Sequence, residues 1–117
     1  MRKIALNTLV CFVVLFGMSR MAFAHAHLVS STPAAGSAIH GPSVAIALKF
    51  DSRVDGTRSH LALVMPDGKI VSLKIRVIND AELGSHADLG PGKYAIRWQA
   101  LSTDGHITRG EIPFTVR

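Results

Sequence analysis

Sulfur is scarce in this chain. Its single cysteine, Cys11, lies inside an apolar run over residues 4–17. A CxxC redox pair, a cysteine-rich zinc site and an internal disulfide are therefore excluded. Aromatic residues make up 6% of the chain, with one Trp and one Tyr, too few for a flat ring surface that would stack sugars. Lysine and arginine never form a run, so no phosphate-tracking face is present and nucleic acid is not an expected partner. There is no G-x-S-x-G elbow, no phosphate loop and no Ser-His-Asp arrangement with a defensible spacing. No apolar stretch reaches the about 20 residues of a comfortable membrane span.

The front of the chain has a different character. Arg2 and Lys3 precede the apolar residues 4–17, and Ala22-Phe23-Ala24 supplies small residues at the −3 and −1 positions of a cleavage site. These three parts predict a secretory signal peptide over residues 1–24, cut before His25. Arg20 shortens any anchor, and Cys11 lacks the small residues of a lipobox. The cut leaves 93 residues, 25–117, as one domain in an oxidising compartment. Losing Arg2, Lys3 and Arg20 leaves ten basic against eight acidic side chains, so the formal charge drops from +5 to +2. The expected location is outside the cytoplasm.

In residues 25–117 the period-2 pattern dominates. "SVAIALKF" (43–50) sends Val44, Ile46, Leu48 and Phe50 to one face. "HLALVMPDGKIVSLKI" (60–75) reads as two strands joined at Pro66-Asp67-Gly68, a strong hairpin signal. "LGPGKYAIRWQAL" (89–101) opens on a turn and alternates Tyr94, Ile96, Trp98 and Ala100 against Lys93, Arg97 and Gln99. "EIPFTVR" (111–117) sets Ile112, Phe114 and Val116 on one side. Residues 79–89 suggest one helical turn capped by Asn79 or Asp80. About seven short strands at intervals of roughly 8–12 residues predict an all-β fold, a single small antiparallel sandwich.

Function must then come from polar residues that the core does not explain. All six histidines fall after residue 24, two of them as His25 and His27. Once His25 is first, its α-amine and its imidazole belong to one residue and can close a chelate ring on a metal. In Asp104-Gly105-His106 the two flanking side chains can turn to one side, because alternate residues of a strand share a face. An amine, two imidazoles and a carboxylate make a three-nitrogen, one-oxygen set. That set suits Cu(II) and suits structural zinc poorly. It requires the start of the domain to lie beside the loop after the Trp98 strand. Each half alone has a plainer reading, as a solvated terminus and as an Asp-Gly turn.

The blocks "HAHLVSSTPAAGS" (25–37) and "YAIRWQALSTDGHITRGEIPFTV" (94–116) resemble the CopC family of periplasmic copper-binding proteins. The second carries the family's pattern as Tyr94, Ile96, Trp98, Ser102, Asp104, Gly105, His106 and Gly110. The resemblance implies an Ig-like Greek-key β-sandwich or barrel. It also implies one Cu(II) per chain held by the amine and imidazole of His25 with Asp104 and His106. The implied role is copper binding, buffering or delivery in the periplasm, beside an inner-membrane importer of the CopD type. A monomer that is not an enzyme is expected.

Several alternatives stay open. Some family members carry a methionine-rich Cu(I) site, but here Met65 stands alone after residue 24, with His60 nearby, so none is expected. Where some members place a Glu near the copper, this chain offers Asp51 as a further candidate. His27 could complete an amino-terminal Cu(II)/Ni(II) motif with deprotonated backbone amides, leaving Asp104 and His106 unused. His40 and His86 read as solvated loop residues. A terminal His also resembles the copper brace of polysaccharide monooxygenases, a redox enzyme alternative. An Ig-like structural module with incidental histidines is the third.

Overall fold

The computed structural model describes residues 25–117, so the expected signal peptide lies outside the described residues. Nine strands follow one another: β1 (Leu28–Thr32), β2 (Ser37–Ile39), β3 (Ser43–Phe50), β4 (His60–Val64), β5 (Ile70–Leu73), β6 (Arg76–Asn79), β7 (Glu82–Asp88), β8 (Gly92–Leu101) and β9 (Ile107–Val116). They form a four-stranded sheet in the order β1-β3-β7-β6 and a five-stranded sheet in the order β2-β9-β8-β4-β5. Every pairing is antiparallel except β2 on β9. The all-β sandwich is therefore the fold.

At each flank a short connection joins the edge strands of the two sheets. The chain leaves β1 in one sheet and re-enters as β2 in the other. β5 and β6 repeat the move at the opposite edge, with only Lys74 and Ile75 between them. Such corner strands close the flanks of the sandwich and leave its two ends to loops.

The alternating residues read from sequence fill the core. Val44, Ile46, Leu48 and Phe50 of β3 face Tyr94, Ile96, Trp98 and Ala100 of β8, with Ile112, Phe114 and Val116 of β9 beside them, all buried. Phe50 meets Trp98 edge-on at 5.4 Å between ring centroids. Trp98 lies opposite Gly110 in the β8–β9 ladder. A Cβ at Gly110 would come within 2.7 Å of the indole, so the glycine makes room for the largest side chain of the core. The Tyr94 hydroxyl donates to the Gly90 carbonyl at 2.8 Å, pinning the turn before β8.

Three expectations are corrected here. Residues 79–89 hold no helical turn; they contain the end of β6, a tight turn and β7. The Asn79 side chain accepts the Ala81 N–H at 3.0 Å and donates to Glu82 at 3.2 Å. A residue suited to capping a helix here closes a hairpin. His86 lies on β7 rather than in a loop, with Nε2 2.8 Å from the Ser43 hydroxyl. Strand β9 also begins earlier than the pattern suggested, at Ile107, directly after the Asp104-Gly105-His106 turn.

Candidate metal centre

One end of the sandwich gathers the start of the domain, the 51–59 loop and the β8–β9 turn. Ala26 explains how the start is held. Its side chain is fully buried in the core, and its carbonyl accepts the Thr108 hydroxyl of β9 at 2.8 Å. His25 and His27, one residue to either side, are thereby turned away from the core. The His25 ring lies 4.3 Å from that of His106, nearly parallel at 29°, and 6.2 Å from that of His27. Residues 81 positions apart in sequence thus share one small surface.

The β8–β9 turn is built around Ser102, which is buried. Its N–H donates to the His106 carbonyl at 2.8 Å, and its hydroxyl accepts the His106 N–H at 3.2 Å. The same hydroxyl donates to Oδ1 of Asp104. Gly105 turns the chain with φ of 92°, a left-handed conformation that a side chain would strain. Asp104 Oδ1 then sits 3.1 Å from His106 Nδ1. The Ser102 hydroxyl above all, and then the imidazole and N–H of His106, hold the Asp104 carboxyl down to about 2. Asp104 is thus an anion at any physiological pH.

His27 and Asp51 form the second pair. The His27 N–H donates to Asp51 Oδ1 at 2.7 Å, the Asp51 N–H donates back to the His27 carbonyl at 2.9 Å, and Nδ1 lies 3.3 Å from Oδ2. These bonds extend the β1–β3 ladder one step past Leu28 and Phe50. They hold the Asp51 carboxyl below its usual range, the His27 N–H contributing most. The 51–59 loop is in turn tied to the β8–β9 turn. Val54 bridges Ser102, the Asp55 N–H donates to the Leu101 carbonyl at 2.8 Å, and the Leu101 N–H donates to the Ser59 hydroxyl at 3.0 Å.

The structure therefore brings His25, Asp104 and His106 to one place and sets His27 with Asp51 beside them. His40 and His86 lie apart from this end, His40 before Gly41 and His86 in β7, whereas His60 opens β4 directly after the 51–59 loop and is exposed on the outer face of its sheet. Among the described residues no three His, Cys, Asp or Glu side chains already converge as a ready metal cluster. The chemistry of the donors is consistent with that. One expected donor is an amine that exists only after cleavage at His25, and Asp104 Oδ1 is engaged by Ser102 and His106. What the site offers is imidazole nitrogen and carboxylate oxygen, which fits Cu(II) among first-row metals. Met65 packs partly buried against the core as a hairpin residue, its N–H donating to the Lys69 carbonyl. Sequence reasoning used Ala26 only in the alternative amino-terminal motif and Ser102 only as a position of the family pattern. Ala26 carried a signal, as a lone small apolar residue alternating with two histidines.

The chain is thus a small β-sandwich with imidazole and carboxylate side chains gathered at one end. Residues 28–117 match the family profile described as the CopC domain, and the chain belongs to the CopC family of copper-binding proteins. It is 32% identical over 120 residues to copper resistance protein C of Pseudomonas syringae pv. tomato, covering 91% of this chain and 94% of that protein. The crystal structure of CopC from Methylosinus trichosporium OB3b superposes with a TM-score of 0.71 at 30% identity, covering 79% of this chain and 93% of that one. The copper transport protein CutJ of Bacillus subtilis is 24% identical over 92% of this chain, which spans only 21% of CutJ.

Proposed function

We propose that the protein is a periplasmic Cu(II) carrier that binds one ion per chain and passes it on without turnover. The ligands in this reading are the α-amine and imidazole of His25, the imidazole of His106 and the carboxylate of Asp104. The observation that carries it is the 4.3 Å approach of the His25 and His106 rings, with Asp104 against His106. Copper supplies the affinity for nitrogen donors. The chain supplies their placement: Ala26 fixes the position of His25, and Ser102 orients Asp104.

Three features favour this reading over its rivals. An amino-terminal motif would need deprotonated amides at Ala26 and His27. The His27 N–H instead donates to Asp51, and Ala26 is locked in the core. Tyr94 and Trp98 are both buried, so neither presents a ring face to a sugar polymer, as a polysaccharide-oxidising enzyme would want. A lone, partly buried Met65 supplies too few thioethers for a Cu(I) cage. The match to one section of CutJ, a copper transport protein, supports a role in moving copper; the receiver in this reading is an inner-membrane importer of the CopD type, with this chain as a separate monomeric carrier.

The test is a Cu(II) titration of the protein that begins at His25, followed by EPR and by the fluorescence of its single Trp. One tetragonal copper per chain is expected. A stoichiometry of zero, or sustained oxygen consumption by the copper-loaded protein, would overturn the proposal.

A further inference from the structure

The outer face of the five-stranded sheet adjoins the metal-end turn, and its side chains run in cross-strand rows. Leu101 pairs with Ile107 next to the turn. The following row is His60, Gln99 and Arg109, and the one beyond it is Ala62, Arg97 and Glu111. The last two rows line an open groove of about 580 Å³. Within it Arg97 is neutralised by Glu111 at 3.1 Å. Arg109 is not neutralised: its Nε donates to the uncharged Gln99 at 2.8 Å, and among the described residues it has no carboxylate partner. The groove thus holds a guanidinium fixed by a hydrogen bond, with its charge uncompensated. Between groove and turn stands Ile107, half exposed at 50%.

We propose that this face binds an acidic segment of the protein with which the chain exchanges copper, carboxylates on Arg109 and an apolar side chain on Ile107. The identity of the partner rests on the carrier reading above; the groove and its charge do not. Charge complementarity selects an acidic occupant. The volume exceeds what a single small anion fills, and the apolar step toward the turn suits a peptide. Docking there places the partner against the strands that enter and leave the 102–106 turn. The copper ligands would remain open to the partner's own.

The experiment uses metal-free protein beginning at His25, labelled with nitrogen-15, at low ionic strength, with a hexaglutamate peptide as probe. Amide shifts are expected on the His60–Gln99–Arg109 row and at Ile107. They should weaken about tenfold or more in Arg109→Glu, because like charges oppose docking. Arg109→Gln, which removes the charge and keeps the length, serves if the reversal disturbs folding. Absence of shifts, shifts that persist in both variants, or equal shifts from hexalysine would overturn the proposal. Equal shifts from acetate at matched carboxylate concentration would reduce the groove to a small-anion site and overturn it as a docking face. A parallel copper titration of the same samples separates this failure from that of the carrier reading. Peptide binding without copper uptake would sink only the latter, and copper uptake without peptide binding only the former.

Discussion

Two Asp–His pairs bracket His25, and they are built differently. Asp104 and His106 share a turn whose geometry is set by the buried Ser102 and by Gly105 at positive φ. Asp51 and His27 come from separate strands. They are held by one main-chain bond that prolongs the β1–β3 ladder and by the His27 N–H donating to the Asp51 carboxylate, with the His27 side chain 68% exposed. The first pair presents its imidazole beside His25 at 4.3 Å; the second stands back at 6.2 Å. In the proposed reading the two perform different services: one frames donors for an ion, and the other secures the strand that delivers His25.

The comparison breaks most sharply if ligands are removed. His106→Ala should weaken Cu(II) binding more than about a hundredfold, beyond the usual loss from an outer partner. Competition against a calibrated chelator reads that out. Ser102→Ala should come next, with a loss of about 10–100-fold. It should also lower stability by about 1–3 kcal/mol, since buried backbone partners are left unpaired; urea unfolding checks the second figure. Rescue of copper affinity by Ser102→Thr, which restores the hydroxyl, would separate orientation of Asp104 from general damage. Asp51→Asn should cost less than about tenfold, because its main contact is to the His27 N–H, which an amide oxygen still accepts. Equal losses from Asp51→Asn and His106→Ala would erase the distinction between the pairs.

Acid offers a gentler probe. The folded Asp104 carboxyl titrates at about 2, below the ordinary 3.8, so the unfolded chain takes up its proton first as pH falls. Its stabilising contribution is complete above 3.8 and disappears as pH drops through about 2. Carbon-13 NMR of the side-chain carboxyl should place the midpoint near 2 in the metal-free protein. Ser102→Ala should raise it toward 3.8. Copper itself should leave earlier on acidification, because amine and imidazole bind only when deprotonated.

Much of this architecture could be read from residue order. β3 and β8 showed themselves through strict alternation, because half-buried strands bury every second side chain, and the β4–β5 hairpin showed itself at its Pro66-Asp67-Gly68 turn. β7 did not, since Leu83 is its only large apolar residue and Asn79-Asp80 signals caps and turns alike. The three-residue β2 was invisible for another reason: its partner is the distant β9 in parallel. At the site, residue chemistry nominated His25, Asp104 and His106, yet nothing local says that the start of the domain reaches the β8–β9 turn. That depends on Ala26 entering the core and on Thr108 meeting its carbonyl, both products of the whole topology. Ser102 was visible only as a position of the family pattern; its role was not, because serine is common in turns and its meaning lies in its contacts, not in its spacing.

The most direct measurement compares Cu(II) affinity for the protein starting at His25 with that for a version carrying one extra residue before it. The addition converts the α-amine into a peptide nitrogen and leaves the strands, Ala26 and both Asp–His pairs in place. A large loss of affinity with unchanged unfolding midpoint is the predicted result, since the His25 chelate would then be gone. Equal affinity in the two forms would contradict the account: the amine would be no ligand, and the site would have to be assembled from other donors.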